Sequence, residues 1–212
     1  MIEIDLIDVS GFKGAIRGMR HPYESYEKSD SVYADNLLEH LIIGENDLAL
    51  CRKLIRAGSD HRKFLRMIHV QADIRAPRYF MTQLDTYKIG TTTNSQSTMH
   101  TIHKKQFEPW DFSMEHIINP FPLIDELNSI RERYLETKDK NDWYSLIEML
   151  PQSYMQTRTV DINYETLLRI AVSRRWHKLK EWTDFIEWMK EELPYFEEFL
   201  DAMGRKNKEI SE

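Results

Sequence analysis

Residues 83–100, QLDTYKIGTTTNSQSTMH, are the stretch that most constrains how this chain can fold. An apolar pattern of helical period runs into them and stops. The six Ser or Thr between Thr91 and Thr98, with Asn94 among them, are too polar and too β-branched to prolong a helix. The segment reads either as a solvated loop that caps the next element or as hydroxyl donors and backbone N–H groups offered to an anion such as a phosphate.

At 212 residues, and with no Gly/Ser/Pro linker to divide it, the chain reads as one domain over residues 1–203 with a frayed tail, 204–212. Hydrophobic residues at 41% supply a core, and a net charge of −6 excludes a general nucleic-acid binder while leaving room for a local basic pocket. Cys51 is the single cysteine, so no intramolecular disulfide can form, and it reads as a small buried hydrophobe. The opening MIEIDLIDVSG lacks the basic start and apolar run of a signal peptide, and no later run reaches the length of a membrane span. A cytoplasmic protein with no membrane or nucleic-acid partner is the expectation.

Ile2, Ile4 and Leu6 alternate with Glu3 and Asp5 before Ser10-Gly11, which predicts an opening strand over 2–7. Residues 12–30, basic and then polar, read as mostly loop. Apolar stripes at Leu37, Leu38, Leu41 and Ile42 and at Leu48, Leu50, Leu54 and Ile55 predict a helical region over 35–57, interrupted at Gly44 and closed by Gly58. A short helix in SDHRKFLR and a strand over 67–74 follow, and Ala76-Pro77 fits the first turn of a helix whose Tyr79, Phe80 and Leu84 face the core. Beyond the polar stretch, His100 and His103 would share a helix face, but two His without a Cys or carboxylate motif fall short of a zinc signature. Helices over 123–137 and 143–149 lead to a strand over 153–162. Asn163 then introduces a helix over 164–176, with Leu167, Leu168 and Val172 inward and Arg169, Arg174 and Arg175 elsewhere. Two amphipathic helices, 178–193 and 195–203, close the chain with Trp182, Phe185, Ile186, Trp188 and Met189 as packing candidates.

With Gln83, Asn94, Ser97, Asn163 and Arg174 placed, their order and spacing resemble the flavin-dependent thymidylate synthases. That family carries RHRxxSxNExSxRY after a helix that begins Ala-Pro and contains Gln three residues before the first Arg. Ala76-Pro77 and Gln83 stand at the corresponding places, and His61 matches a family His upstream. Leu150-Pro151 also matches, and Asn163, Leu167, Leu168 and Arg174 look like the family's NxRSLxxFLxxR segment. The resemblance covers most of residues 1–193. Within it, Thr86, Tyr87 and Lys88 replace Arg-His-Arg, one extra residue lies between Lys88 and Asn94, and Ser95 replaces the Glu after the Asn. Met99 and His100 occupy the Arg-Tyr end, Ile147 sits where an Arg contributes to nucleotide binding, and Glu165 replaces the Arg of the later segment.

The resemblance implies an α+β fold of mixed helices around a central, antiparallel-rich sheet. It also implies a homotetramer that binds flavin adenine dinucleotide (FAD) and a pyrimidine deoxynucleotide where subunits meet. Methylenetetrahydrofolate and NADPH would serve as co-substrates, and no cysteine nucleophile is required. By correspondence Arg174 is the catalytic group, holding the pyrimidine as C5 becomes nucleophilic. Gln83, Thr86, Ser95, Ser97, Thr98 and Met99 join it around the substrate. His61, Lys63, Thr86, Tyr87, Lys88, Asn94, Asn163, Glu165 and Arg169 are the flavin-side set. The implied reaction is methylation of dUMP at C5. The alternatives are a related transfer such as hydroxymethylation on dUMP or dCMP, and a non-catalytic nucleotide-binding or interaction protein on the same fold.

Overall fold

The computed structural model describes residues 2–33 and 41–204. They divide into two compact units. One consists of Ile74–Thr86 and Asn94–Thr159 with the chain's first residues; the other consists of Ile4–Asp73, Tyr87–Thr93 and the chain from Val160 onward. Four strands, β1 (Glu3–Ser10), β4 (His69–Pro77), β6 (Met155–Asn163) and β5 (Thr91–Ser95), form a sheet in the order β1-β4-β6-β5. The bonds give its sense. As β6 advances from Thr157 to Asn163, its partners retreat from Gln96 to Gly90. Against β4 the pairing likewise runs from Arg78 with Tyr154 to His69 with Asp161. Both pairings are antiparallel, and the architecture is α+β as expected.

In the second unit, Gly11 caps α1 (Phe12–Arg20) with a φ of 92°, and a Cβ there would lie 1.9 Å from the Met67 carbonyl oxygen. Only glycine fits that approach. The loop expected over 12–30 is corrected by this helix. Phe12, Ala15, Ile16 and Met19, spaced three and four apart, are all buried. Residues 41–42 are also corrected, from helix to the short strand β3 (Leu41–Ile42), which pairs antiparallel with β2 (Val32–Tyr33). The Leu37 and Leu38 part of that expectation lies outside the described residues, as does the end of the tail. α2 (Glu45–Ala57) begins after Gly44 and ends at Gly58. A 3-10 turn, Lys63–Met67, stands where the short helix was expected. α7 (Tyr164–Arg174), α8 (Lys180–Glu192) and α9 (Phe196–Gly204) complete the unit. Tyr164 sits edge-on to Phe12, Phe196 and Phe199 at 5.4–6.3 Å, and its hydroxyl donates to the Pro194 carbonyl. Val172, expected inward, is exposed, while Leu167 and Leu168 are buried.

In the first unit, Ala76-Pro77 ends β4 and α3 (Arg78–Leu84) starts one residue later, with Pro77 as its extended N-cap. A four-residue helix, α4 (Thr98–Thr101), follows β5. α5 (Phe121–Thr137) and α6 (Lys140–Met149) pack Ile124, Leu127, Ile130 and Leu146 against Phe107, Phe112 and Tyr154. Asn128 ties this core to the chain by exchanging both of its amide bonds with the Phe107 backbone. Among the described residues, no helix is long and apolar enough to cross a membrane. Cys51 is fully buried, 3.6 Å from the Met19 sulfur, and burial pushes its thiol pKa far up, so it is inert as a nucleophile.

The strongest polar knot in the second unit is Asp47. This fully buried carboxylate accepts from Arg20 Nε at 2.9 Å, from the hydroxyls of Ser29 and Ser31, and from the N–H groups of Asp30 and Ser31. Burial opposes its charge, but the hydrogen bonds from Ser31, Ser29 and Arg20, with the Arg20 charge, outweigh burial and hold the carboxyl below its ordinary value. Asp47→Ala strands Arg20 and should lower the unfolding free energy by about 3–5 kcal/mol at pH 7, measured by urea titration. The Asp47 contribution is complete above the unfolded-chain pKa of about 4 and drains away as pH falls through the lower folded value. The difference between wild type and Asp47→Asn should therefore narrow in that acid window.

Candidate functional site

The junction of β6 and α7 is where the chain assembles the candidate site of the second unit. Asn163 ends the strand and caps the helix: its N–H donates to the Gly90 carbonyl at 3.1 Å, and its side-chain oxygen accepts from the Thr166 N–H at 3.0 Å. Thr166 Oγ1 donates to the Ile89 carbonyl at 2.6 Å, pinning the incoming segment a second time. Gly90 has a φ of 66°, and a Cβ there would lie 1.7 Å from Asn163 Nδ2. Asn163 is thus 5% exposed with its side-chain oxygen already engaged.

From this anchor, residues 87–90 run beside α7, whose 11 residues span about 16 Å. Tyr87 reaches the last turn. Its hydroxyl lies 2.9 Å from both Arg174 Nε and Ser173 Oγ. The Arg174 guanidinium carbon stands 5.5 Å from the Tyr87 ring centre and 4.8 Å from that of buried Trp182. Arg174 is half-buried, and its two terminal nitrogens make no hydrogen bond among the described residues. A cation held on two aromatic faces, with four N–H groups to spare, can dock a carbonyl-bearing or anionic ring.

Other members of the flavin-side set are spread along the same unit. His61, Lys63, Lys88 and Arg169 are exposed, with side chains that have no partner among the described residues. Glu165 is buried and receives Arg62 Nε at 2.8 Å and Arg62 Nη2 at 2.9 Å in a bidentate pair. Arg62 was missed in the sequence, where its only trace is the need of a buried Glu for a cation.

The first unit carries the substrate-side set. Gln83 is half-buried on α3, and Thr86 Oγ1 turns back to the Gln83 carbonyl at 2.7 Å. Asn94 and Ser95 lie exposed at the end of β5, so the stretch read as loop or anion cradle includes a strand. Pairing with β6 makes it one. Ser97 caps α4 by accepting from the His100 N–H, and the Gln96 N–H is taken by Thr157. Thr98 begins that helix, and exposed Met99 accepts at its carbonyl from Trp143 Nε1. Arg158, another residue missed in the sequence, reaches Asp85 at 2.6 Å and Gln156 at 3.1 Å. It supplies a cation at the foot of this segment. His103 lies past the end of α4, so it does not share a helix face with His100. Burial first, and then Lys104, Lys138 and Arg131, lower its pKa.

No model of a protein family and no curated protein sequence matches the chain. The fold does match. A crystal structure of thymidylate synthase X from Helicobacter pylori with FAD and dUMP aligns over 96% of this chain and 99% of that one, with a TM-score of 0.71 at 19% identity. A second structure of the flavin-dependent enzyme from Helicobacter pylori, complexed with FAD and dUMP, covers 93% of this chain and 97% of its own, with a TM-score of 0.67 at 20% identity.

Gly90→Ala tests the junction. It forces a Cβ into Asn163 Nδ2 at a left-handed φ, and it should cost about 2 kcal/mol in chemical denaturation through the strain and the weakened α7 cap.

Proposed function

We propose that this protein is a divergent flavin-dependent enzyme of the thymidylate synthase kind. It binds a pyrimidine deoxynucleotide and modifies the base at C5, with methylation of dUMP from methylenetetrahydrofolate as the reaction. The observation that carries this reading is Arg174. The position that corresponds to the family's pyrimidine-holding arginine carries a guanidinium already fixed on two rings, with its terminal nitrogens to spare. The fold shared with enzymes that hold FAD and dUMP supports it.

The residues fit a flavin dinucleotide in part. Lys63, Lys88 and Arg169, exposed and without partners among the described residues, are suited to its diphosphate, with His61 as a further donor. Glu165 and Asn163 are engaged elsewhere and are not ligands in this reading. When bound, the flavin supplies the hydride and carries the one-carbon unit. The chain's own residues bind and polarise. Arg174 N–H groups donate to a ring carbonyl and stabilise the negative charge that develops as C5 becomes nucleophilic. A homotetramer with shared sites belongs to the same proposal.

The purified protein should be yellow, or become so with added FAD, and should bind dUMP more tightly than dCMP in calorimetric titration. Arg174→Ala should weaken nucleotide binding about 10- to 100-fold, since a charge-assisted contact is worth about 1.5–3 kcal/mol. Absence of flavin uptake would sink the enzyme reading, and an unchanged affinity in Arg174→Ala would remove Arg174 from its role.

A further inference from the structure

The hydrogen bonds around Arg174 have a direction that the atoms impose. A guanidinium only donates, so Arg174 Nε–H donates to Tyr87 Oη at 2.9 Å. The proton of Tyr87 then goes to Ser173 Oγ at 2.9 Å, and the Ser173 hydroxyl donates to the Ile170 carbonyl at 3.3 Å. The donors run one way, from Arg174 through Tyr87 and Ser173 into the α7 backbone. The rings of Tyr87 and Trp182, 6.0 Å apart and inclined at 66°, form a notch around the same guanidinium. The His177 ring centre lies 6.2 Å from that of Trp182.

We infer that Tyr87 is the positioning residue of this site. Its hydroxyl takes up Arg174 Nε and leaves the two terminal nitrogens as the edge that meets a planar ligand. The ring contacts alone fix where the guanidinium lies; the hydroxyl fixes how it is turned. A tyrosine therefore supplies orientation where the resembled triplet supplies charge. The effect on nucleotide affinity rests on the nucleotide-binding reading above, whereas the order of the Arg174 side chain in the free protein does not.

Tyr87→Phe keeps the ring and removes only the oxygen. Two measurements decide the role, with Ser173→Ala as a milder break in the same chain of bonds. The first is the Arg Nε–H proton resonance spectrum of the free protein, in which the Arg174 signal is identified by its loss in Arg174→Lys. That signal should be protected from solvent exchange in wild type and lost in Tyr87→Phe. The second is a double-mutant cycle read by dUMP titration. Tyr87→Phe should weaken binding about ten-fold alone and add nothing in an Arg174→Ala background. An Nε–H signal equally protected in Tyr87→Phe overturns the inference, and so does the same loss of affinity in both backgrounds. If wild type binds neither dUMP nor dCMP, the nucleotide reading falls, and the Nε–H spectrum alone decides on Tyr87.

Discussion

Asn163 is the residue on which the rest of the candidate site depends. Four groups meet there: its own N–H on the Gly90 carbonyl, its side-chain oxygen on the Thr166 N–H, the Thr166 hydroxyl on the Ile89 carbonyl, and the neighbouring Tyr164 N–H on the Ile68 carbonyl. A strand that ends in this way launches α7 in one direction only, and the segment before β5 is bound to the helix's first turn. Residues 89–90 are held at that end, and Tyr87 reaches the far end, where Ser173 and Arg174 stand. A backbone junction thus sets the geometry of a side chain about 16 Å away.

Two buried ionic knots also hold this unit. Glu165, one residue into α7, is held by Arg62, and Asp47, on α2, gathers Arg20 and the loop at residues 29–31. Neither pair adds much stability over an apolar substitute, but each is expensive to break from one side, so both specify which neighbours may pack there. Glu165 stands where the resembled segment has an arginine, and the Arg62 pair shows how the reversed charge is accommodated without an uncompensated group.

Much of this was legible before any coordinates. Leu167 and Leu168 mark α7, although Val172, read with them as inward, is exposed, and alternation marks β1. Asn163 as a cap and Cys51 as a buried hydrophobe could be read from residue type alone. α1 was not, because Gly14, Gly18 and three basic residues obscure a stripe of Phe12, Ala15, Ile16 and Met19 that becomes visible only once its burial is known. β5 was not, because a strand of Thr, Asn and Ser at a sheet edge owes its conformation to β6 rather than to its own composition. The site followed the same division. Residue types and their order pointed to Arg174, but its partner Tyr87 lies 87 positions away and the Arg62–Glu165 pair spans 103, separations that no local pattern encodes.

With Thr86-Tyr87-Lys88 where the resembled motif has Arg-His-Arg, a site of this kind would bind an anion differently. A cluster of mobile cations attracts a dianion strongly but must be ordered around it, and an arginine carries about 2 kcal/mol of rotamer entropy to be surrendered on binding. Arg174 has surrendered most of that on folding, because Tyr87 and Trp182 hold it from two sides and the Nε proton is committed. Arg62 is likewise tied to Glu165. On the proposed reading, the second unit would meet its ligand with few free charges, Lys63, Lys88 and Arg169 among them, and one rigid guanidinium edge. Such an arrangement discriminates by the pattern of acceptors on a planar ring more than by total charge. On the proposed nucleotide reading, that would shift selectivity from the phosphate toward the base.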